Sequence, residues 1–169
     1  MKTIRFAIMA LAVISIIPVA AMAAKVVLPE ETEVKVQFDP AIKINSGMLQ
    51  KGLELPIILA EDIAIGGKAI VEKGAKGSAE VVEIERASRP GDPGYIKISF
   101  IGLRPEGEYK PADGGMIKLA GEIENKGKGR KILSWLFIFG LFISGNEGEI
   151  DTSQTYTAEV AETVIMETG

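Results

Sequence analysis

Residues 132–144 read ILSWLFIFGLFIS, an almost unbroken apolar run between the basic stretch Lys126-Gly127-Lys128-Gly129-Arg130-Lys131 and the acidic stretch Asn146-Glu147-Gly148-Glu149-Ile150-Asp151. Ten of its side chains are large and apolar. Each is worth about 1.5–3 kcal/mol when withdrawn from water. Leaving all of them wet would cost more than the roughly 5–15 kcal/mol by which a domain is stable. Whatever this chain folds into must therefore cover the run with its own core, with lipid or with a partner.

The rest of the chain sets the frame. At 169 residues it suits one domain. Lys2 and Arg5, an apolar stretch over 6–20 and the small-x-small site Ala21-Met22-Ala23 predict a secretory signal cleaved after Ala23, the alternative being an uncleaved anchor. A single domain over 24–169 remains, with 17 basic and 23 acidic residues and a formal charge of −6. That balance argues against nucleic acid, whose binding needs Lys and Arg to neutralise phosphates. The expected location is the periplasm or cell surface of a bacterium, with membrane association through the apolar run.

Short alternating segments separated by Gly and Pro predict strands over 33–38, 53–60, 68–72, 78–86, 95–103, 116–123 and 155–166. Pro56 inside the second marks an edge or a bulge. Segments 78–86 and 95–103 pair naturally as a hairpin, and Gly66-Gly67 marks a tight turn. Along 155–166, Tyr156, Ala158, Val160 and Val164 would share one face. Outside 132–144 no segment after the signal is a good helix candidate. The fold class expected is all-β: a small closed or partly open barrel of short antiparallel strands, with one apolar insertion compatible with a helix.

Three stretches share a plan in which an apolar residue ends one strand, a polar turn follows and a β strand leaves. They begin at Leu28, Val71 and Ile150 and end at Val36, Val81 and Val160. With Ala60-Glu61-Asp62-Ile63 and the segment 65–71, this plan resembles a widespread group of uncharacterised exported bacterial β-barrel proteins with repeated apolar-Pro-x-Gly-Thr corners. Here Pro29 stands only in the first corner and Gly74 only in the second, and the third has neither. A more distant likeness is to the C-terminal barrel of secretion and conjugation proteins of the TrbI/VirB10 kind. It implies an apolar excursion that contacts a membrane.

Chemistry is sparse. With no His and no Cys, a Ser-His-Asp triad, a Cys nucleophile and a His-ligated zinc site cannot be built within the chain. Neighbouring carboxylates such as Glu61-Asp62 and Glu30-Glu31 point to opposite faces of a strand and do not face each other across a cleft. The acidic stretch 146–151 lacks the ligand spacing of a calcium loop. No catalytic, cofactor or metal residue is expected.

The candidate contact residues lie in and beside the apolar run: Lys128, Arg130, Lys131, Trp135, Leu136, Phe137, Phe139 and Phe142. In helical form its 13 residues span about 20 Å, too short for a bilayer core of about 30 Å. Three arrangements remain open. The run closes the barrel's core, dips into a membrane with the basic flank on anionic headgroups, or packs against other subunits or an envelope protein. The functional expectation is a non-enzymatic envelope protein with a structural or assembly role, self-associating or meeting a membrane or protein partner. The alternative is a periplasmic binding module for a small or saccharide ligand, using loops 88–94 and 104–115 with Tyr95 and Tyr109.

Overall fold

A computed structural model describes residues 24–88, 91–128 and 146–169 of the chain. Among them there is no helix. In chain order the first strands are β1 (Lys25–Leu28), β2 (Glu33–Phe38), β3 (Ile44–Asn45), β4 (Glu54–Leu59), β5 (Ile63–Ile65) and β6 (Lys68–Val71). Then come β7 (Lys76–Glu85), β8 (Tyr95–Arg104), β9 (Tyr109–Pro111), β10 (Ile117–Ala120) and β11 (Glu122–Lys126). The chain finishes with β12 (Glu149–Ile150), β13 (Thr155–Val160) and β14 (Val164–Thr168).

Six strands, in the order β10-β13-β2-β4-β7-β8, form a closed antiparallel barrel, because β10 also pairs with β8; β11 is an extra strand running along β8. The expected all-β barrel is therefore closed. Its interior follows from alternation. Val34, Val36 and Phe38 of β2 and Leu55, Ile57 and Leu59 of β4 point inward and are buried, and Ile96 and Ile98 of β8 meet them. Phe38 is the central filler, stacked on Phe100 at 6.3 Å between ring centroids and edge-on to Tyr156 at 5.8 Å.

The 78–86 and 95–103 segments do form the expected hairpin, β7–β8, with two bulges in its register. Close approach demands glycine here: a Cβ on Gly77 would lie 2.2 Å from the Gly102 carbonyl oxygen. Pro56 obeys the edge rule locally although β4 is interior in strand order. The last β2–β4 pair is Phe38↔Ile57, so at Pro56 β4 has run past β2 and keeps only β7 as neighbour.

Two expected strands are each split. The 116–123 segment breaks at Gly121, whose φ of +135° lets its carbonyl accept from the Phe100 N–H at 3.0 Å as β10 passes into β11. The 155–166 segment is not one strand. After Val160 the chain turns out of the barrel, with the Ala161 N–H donating to the Lys118 carbonyl at 2.9 Å. Residues 164–168 become β14, in a separate sheet ordered β1-β14-β9. That sheet and the hairpin β5–β6 lie at one end of the barrel, the corner end. Strands β3 and β12 pair at the opposite end, the insertion end, where the chain departs after Lys128 and re-enters at Asn146.

Two of the three similar corners are the same structure. Glu31, at φ +61°, and Gly74, at φ +91°, occupy equivalent left-handed positions. Each donates its N–H to the last residue of a neighbouring strand, Val160 and Leu59 respectively, at 2.8 Å in both cases. Val160 and Leu59 donate back to the carbonyls of Thr32 and Ala75. The side-chain cap is repeated too: Thr163 Oγ1 accepts from the Glu30 N–H, and Asp62 Oδ1 accepts from the Lys73 N–H. The matching runs are Leu59-Ala60-Glu61-Asp62-Ile63 and Val160-Ala161-Glu162-Thr163-Val164. The third stretch, from Ile150, sits at the insertion end and turns differently, through Asp151 accepting from Ser153 and Gln154. The corner plan is thus used twice rather than three times.

Candidate functional site

Of the residues singled out for membrane or partner contact, Lys128 is described and is exposed at the insertion end. Arg130, Lys131, Trp135, Leu136, Phe137, Phe139 and Phe142 lie outside the described residues, as do the whole run 132–144 and the signal segment 1–23. The described residues do show how the two ends of the insertion are held.

The exit and return strands are joined at the base. The Asn146 N–H donates to the Lys128 carbonyl at 3.0 Å, Gly94 donates to the Asn146 carbonyl at 2.9 Å, and Gly127 donates to the Gly94 carbonyl at 2.8 Å. Backbones pack here without room for side chains. A Cβ on Gly127 would lie 1.9 Å from the Asn146 oxygen, and one on Gly148 would lie 2.6 Å from the Asn125 oxygen.

Below this junction sits a polar clamp. Ser46, fully buried, donates its hydroxyl to Glu147 Oε2 at 2.5 Å, and the same oxygen accepts from the Ala87 N–H at 2.9 Å. Ser46 Oγ accepts from the Gly148 N–H at 2.9 Å, while the Ser46 N–H donates to the Gly148 carbonyl at 2.9 Å. Gly94 leaves space for the clamp, since a Cβ there would fall 2.3 Å from Ser46 Oγ. A hydrogen bond to an ionised acceptor is among the stronger ones. Three separate parts of the chain, at Ser46, at Ala87 and at Glu147-Gly148, are therefore tied to one carboxylate and one hydroxyl.

Glu147 is turned inward to this clamp, and Asp151 is occupied by its own turn. The Ser153 hydroxyl, the Ser153 N–H and the Gln154 amide hold the Asp151 carboxyl below its ordinary range. Among the described residues no group of three acidic side chains is placed to hold a metal.

The two tyrosines considered for ligand stacking are not brought together. Tyr95 starts β8 at the insertion end and donates to Glu124 Oε2 at 2.6 Å, which, with smaller help from burial, pushes its phenol up to about 12. Tyr109 is buried at the corner end, where Lys68 donates to its hydroxyl at 2.6 Å and lies 4.6 Å from its ring centroid. The 104–115 loop lines an open groove of about 600 Å³ between Arg104, Glu106, Lys110 and Met116. The described residues of loop 88–94 are at the far end of the barrel.

Sequence reasoning singled out the apolar run but missed Ser46, Gly94 and Glu147, which join the described residues on either side of it. Ser46 lies in an Asn-Ser-Gly stretch that reads as an ordinary turn, and its partner Glu147 is 101 positions away. The one available signal was glycine at 127 and 148, just inside a charged flank, where no hairpin turn requires it. No protein-family model, curated protein or solved structure matches this chain.

Proposed function

We propose that this chain is a non-enzymatic, exported cell-envelope protein with a structural or assembly role, and that its apolar insertion contacts a membrane surface or a partner subunit. The observation that carries the reading is the clamped base. An apolar segment that merely plugged its own barrel would gain little from a rigid, glycine-tight pedestal at its two ends. One that is displayed outward needs such a pedestal to keep its orientation. The barrel below is already filled by Phe38, Phe100 and their neighbours, which speaks for a run directed away from the interior. A ligand site shared by loops 88–94 and 104–115 has their placement at opposite ends against it.

Trp135 is the single tryptophan and lies within the run. Adding vesicles containing anionic lipid to the protein lacking residues 1–23 should shift its emission to the blue, and Phe139→Asp should abolish the shift without unfolding the barrel. Size that grows with protein concentration, and that Phe139→Asp removes, would assign the run to subunit contact instead. An unshifted Trp135 together with a barrel that fails to fold in Phe139→Asp would return the run to the core and sink the proposal.

A further inference from the structure

We infer that β1 is a docking edge at the corner end, where an extended, basic segment of another protein chain adds as a further strand. This reading does not depend on the apolar run. β1 pairs with β14 alone. In an antiparallel ladder the main-chain groups of successive residues face the partner and face away by turns. The Ala24 carbonyl accepts from Thr168, whereas Ile165 and Gly169 of the β14 segment bond to Ala112 and Glu108 on its far side. Ala24, Val26 and Leu28 therefore face β14, and Lys25 and Val27 turn their N–H and C=O groups outward. Those groups have no hydrogen-bond partner among the described residues. The opposite edge of the same sheet is protected. There Pro111 of β9 stands where the outward N–H would be. β1 has no proline and no bulge in its register.

Side chains extend the open edge. Val27 and Ile165 are opposite each other in register and are 53% and 50% exposed. They form a non-hydrogen-bonded pair, in which side chains lie close, and so make one apolar ridge beside the free main-chain groups. Strand addition draws affinity from such main-chain groups and selectivity from the side chains around them. Charge selects the occupant. The segments outside the barrel strands at the corner end, 24–32, 60–75, 105–116 and 161–169, are all described and hold ten acidic and four basic residues, a net of −6. Two of the four cations, Lys25 and Lys68, are already paired, with Glu167 and Glu108. Glu30 and Glu31, which follow β1 directly, make no ion pair among the described residues. Two copies of this chain meeting edge to edge would set −6 against −6, whereas a basic strand brings the opposite sign.

The probe is the fluorescent peptide acetyl-Lys-Val-Lys-Val-Lys-Val-Lys-amide, titrated with the protein lacking residues 1–23 and followed by anisotropy. Three companions are the same peptide with Glu for Lys, the same peptide N-methylated at alternate residues, and the variant Val27→Pro. That variant removes only a donor that faces away from β14. The expected result is saturable binding of the Lys peptide that weakens as salt is raised, with none for the Glu peptide. N-methylation and Val27→Pro should each weaken binding by about tenfold, the loss of one or two main-chain bonds. Phe139→Asp should leave it unchanged, which separates this edge from the contact made by the apolar run. N-methylation needs no change in the protein, so a misfolded Val27→Pro leaves the test intact. Equal binding of the N-methylated and parent peptides would mean that the acidic surface alone holds them and would overturn the edge. Equal binding of the Glu peptide would overturn the charge selection. Protein that self-associates with rising concentration, and ceases to in Val27→Pro, would give the edge to a second copy and overturn the basic partner.

Discussion

Removing one hydroxyl from the base of the insertion tests whether the clamp is a structural anchor. In Ser46→Ala the Glu147 carboxylate loses a donor, and the Gly148 N–H, buried in the base, loses its acceptor. A hydrogen bond to a charged group contributes about 1.5–3 kcal/mol, and an orphaned buried donor costs about 1–3 kcal/mol. The two terms share a single oxygen, so the sum is smaller than both added, about 2–4 kcal/mol. With a urea slope of about 1–3 kcal/mol/M, the unfolding midpoint followed by far-UV circular dichroism should fall by roughly 1–2 M at unchanged slope. Glu147→Gln should destabilise less, because the amide oxygen still accepts from Ala87. The double variant should show a coupling of about 1 kcal/mol or more. A Ser46→Ala loss below about 0.5 kcal/mol, the size of an ordinary surface substitution, would refute the anchor.

Two further outcomes follow from the barrel. Phe38→Ala empties the centre of the core between Phe100 and Tyr156 and should lower stability by about 3–5 kcal/mol in thermal or denaturant unfolding, while Phe38→Leu should cost distinctly less. The Tyr95 phenol, raised to about 12 first by its bond to Glu124, favours the neutral form in the folded protein, so its support is complete below the ordinary value of 10.0 and disappears as pH rises through about 12. Alkaline ultraviolet titration should show this late phenolate component vanish in Tyr95→Phe and move toward the ordinary value in Glu124→Gln. An unmoved titration in Glu124→Gln would remove the assigned cause.

The barrel walls were legible because burial on one face of a strand writes itself as alternation, as in Glu33-Val34-Lys35-Val36-Gln37-Phe38. Pro56 was legible as well, since a missing N–H must fall where no partner strand waits. The exit of the chain at Ala161 was not. Val164 keeps the apolar rhythm of Ala158 and Val160, and periodicity alone cannot tell a strand that continues from one that bends into another sheet. The likeness between 59–63 and 160–164 stayed hidden because Thr163 and Asp62 do the same capping work with different side chains. Closure of the barrel and the Ser46–Glu147 clamp depend on partners tens of residues apart, which spacing within a short window does not encode.

The two matched corners also impose an order of events. One corner and its partner strands are contained in residues 54–81, a contiguous stretch whose hydrogen bonds can form as soon as that stretch is present. The equivalent half draws β1 and β2 from one terminus and β13 and β14 from the other, so it has nothing to close against until residues 155–168 arrive. A chain released from a ribosome, or threaded through any narrow pore, can therefore pair β2 with β4 early but holds β1, and the edge of β2 that β13 covers, unmatched until the last strands emerge, and latches only when threading is nearly finished.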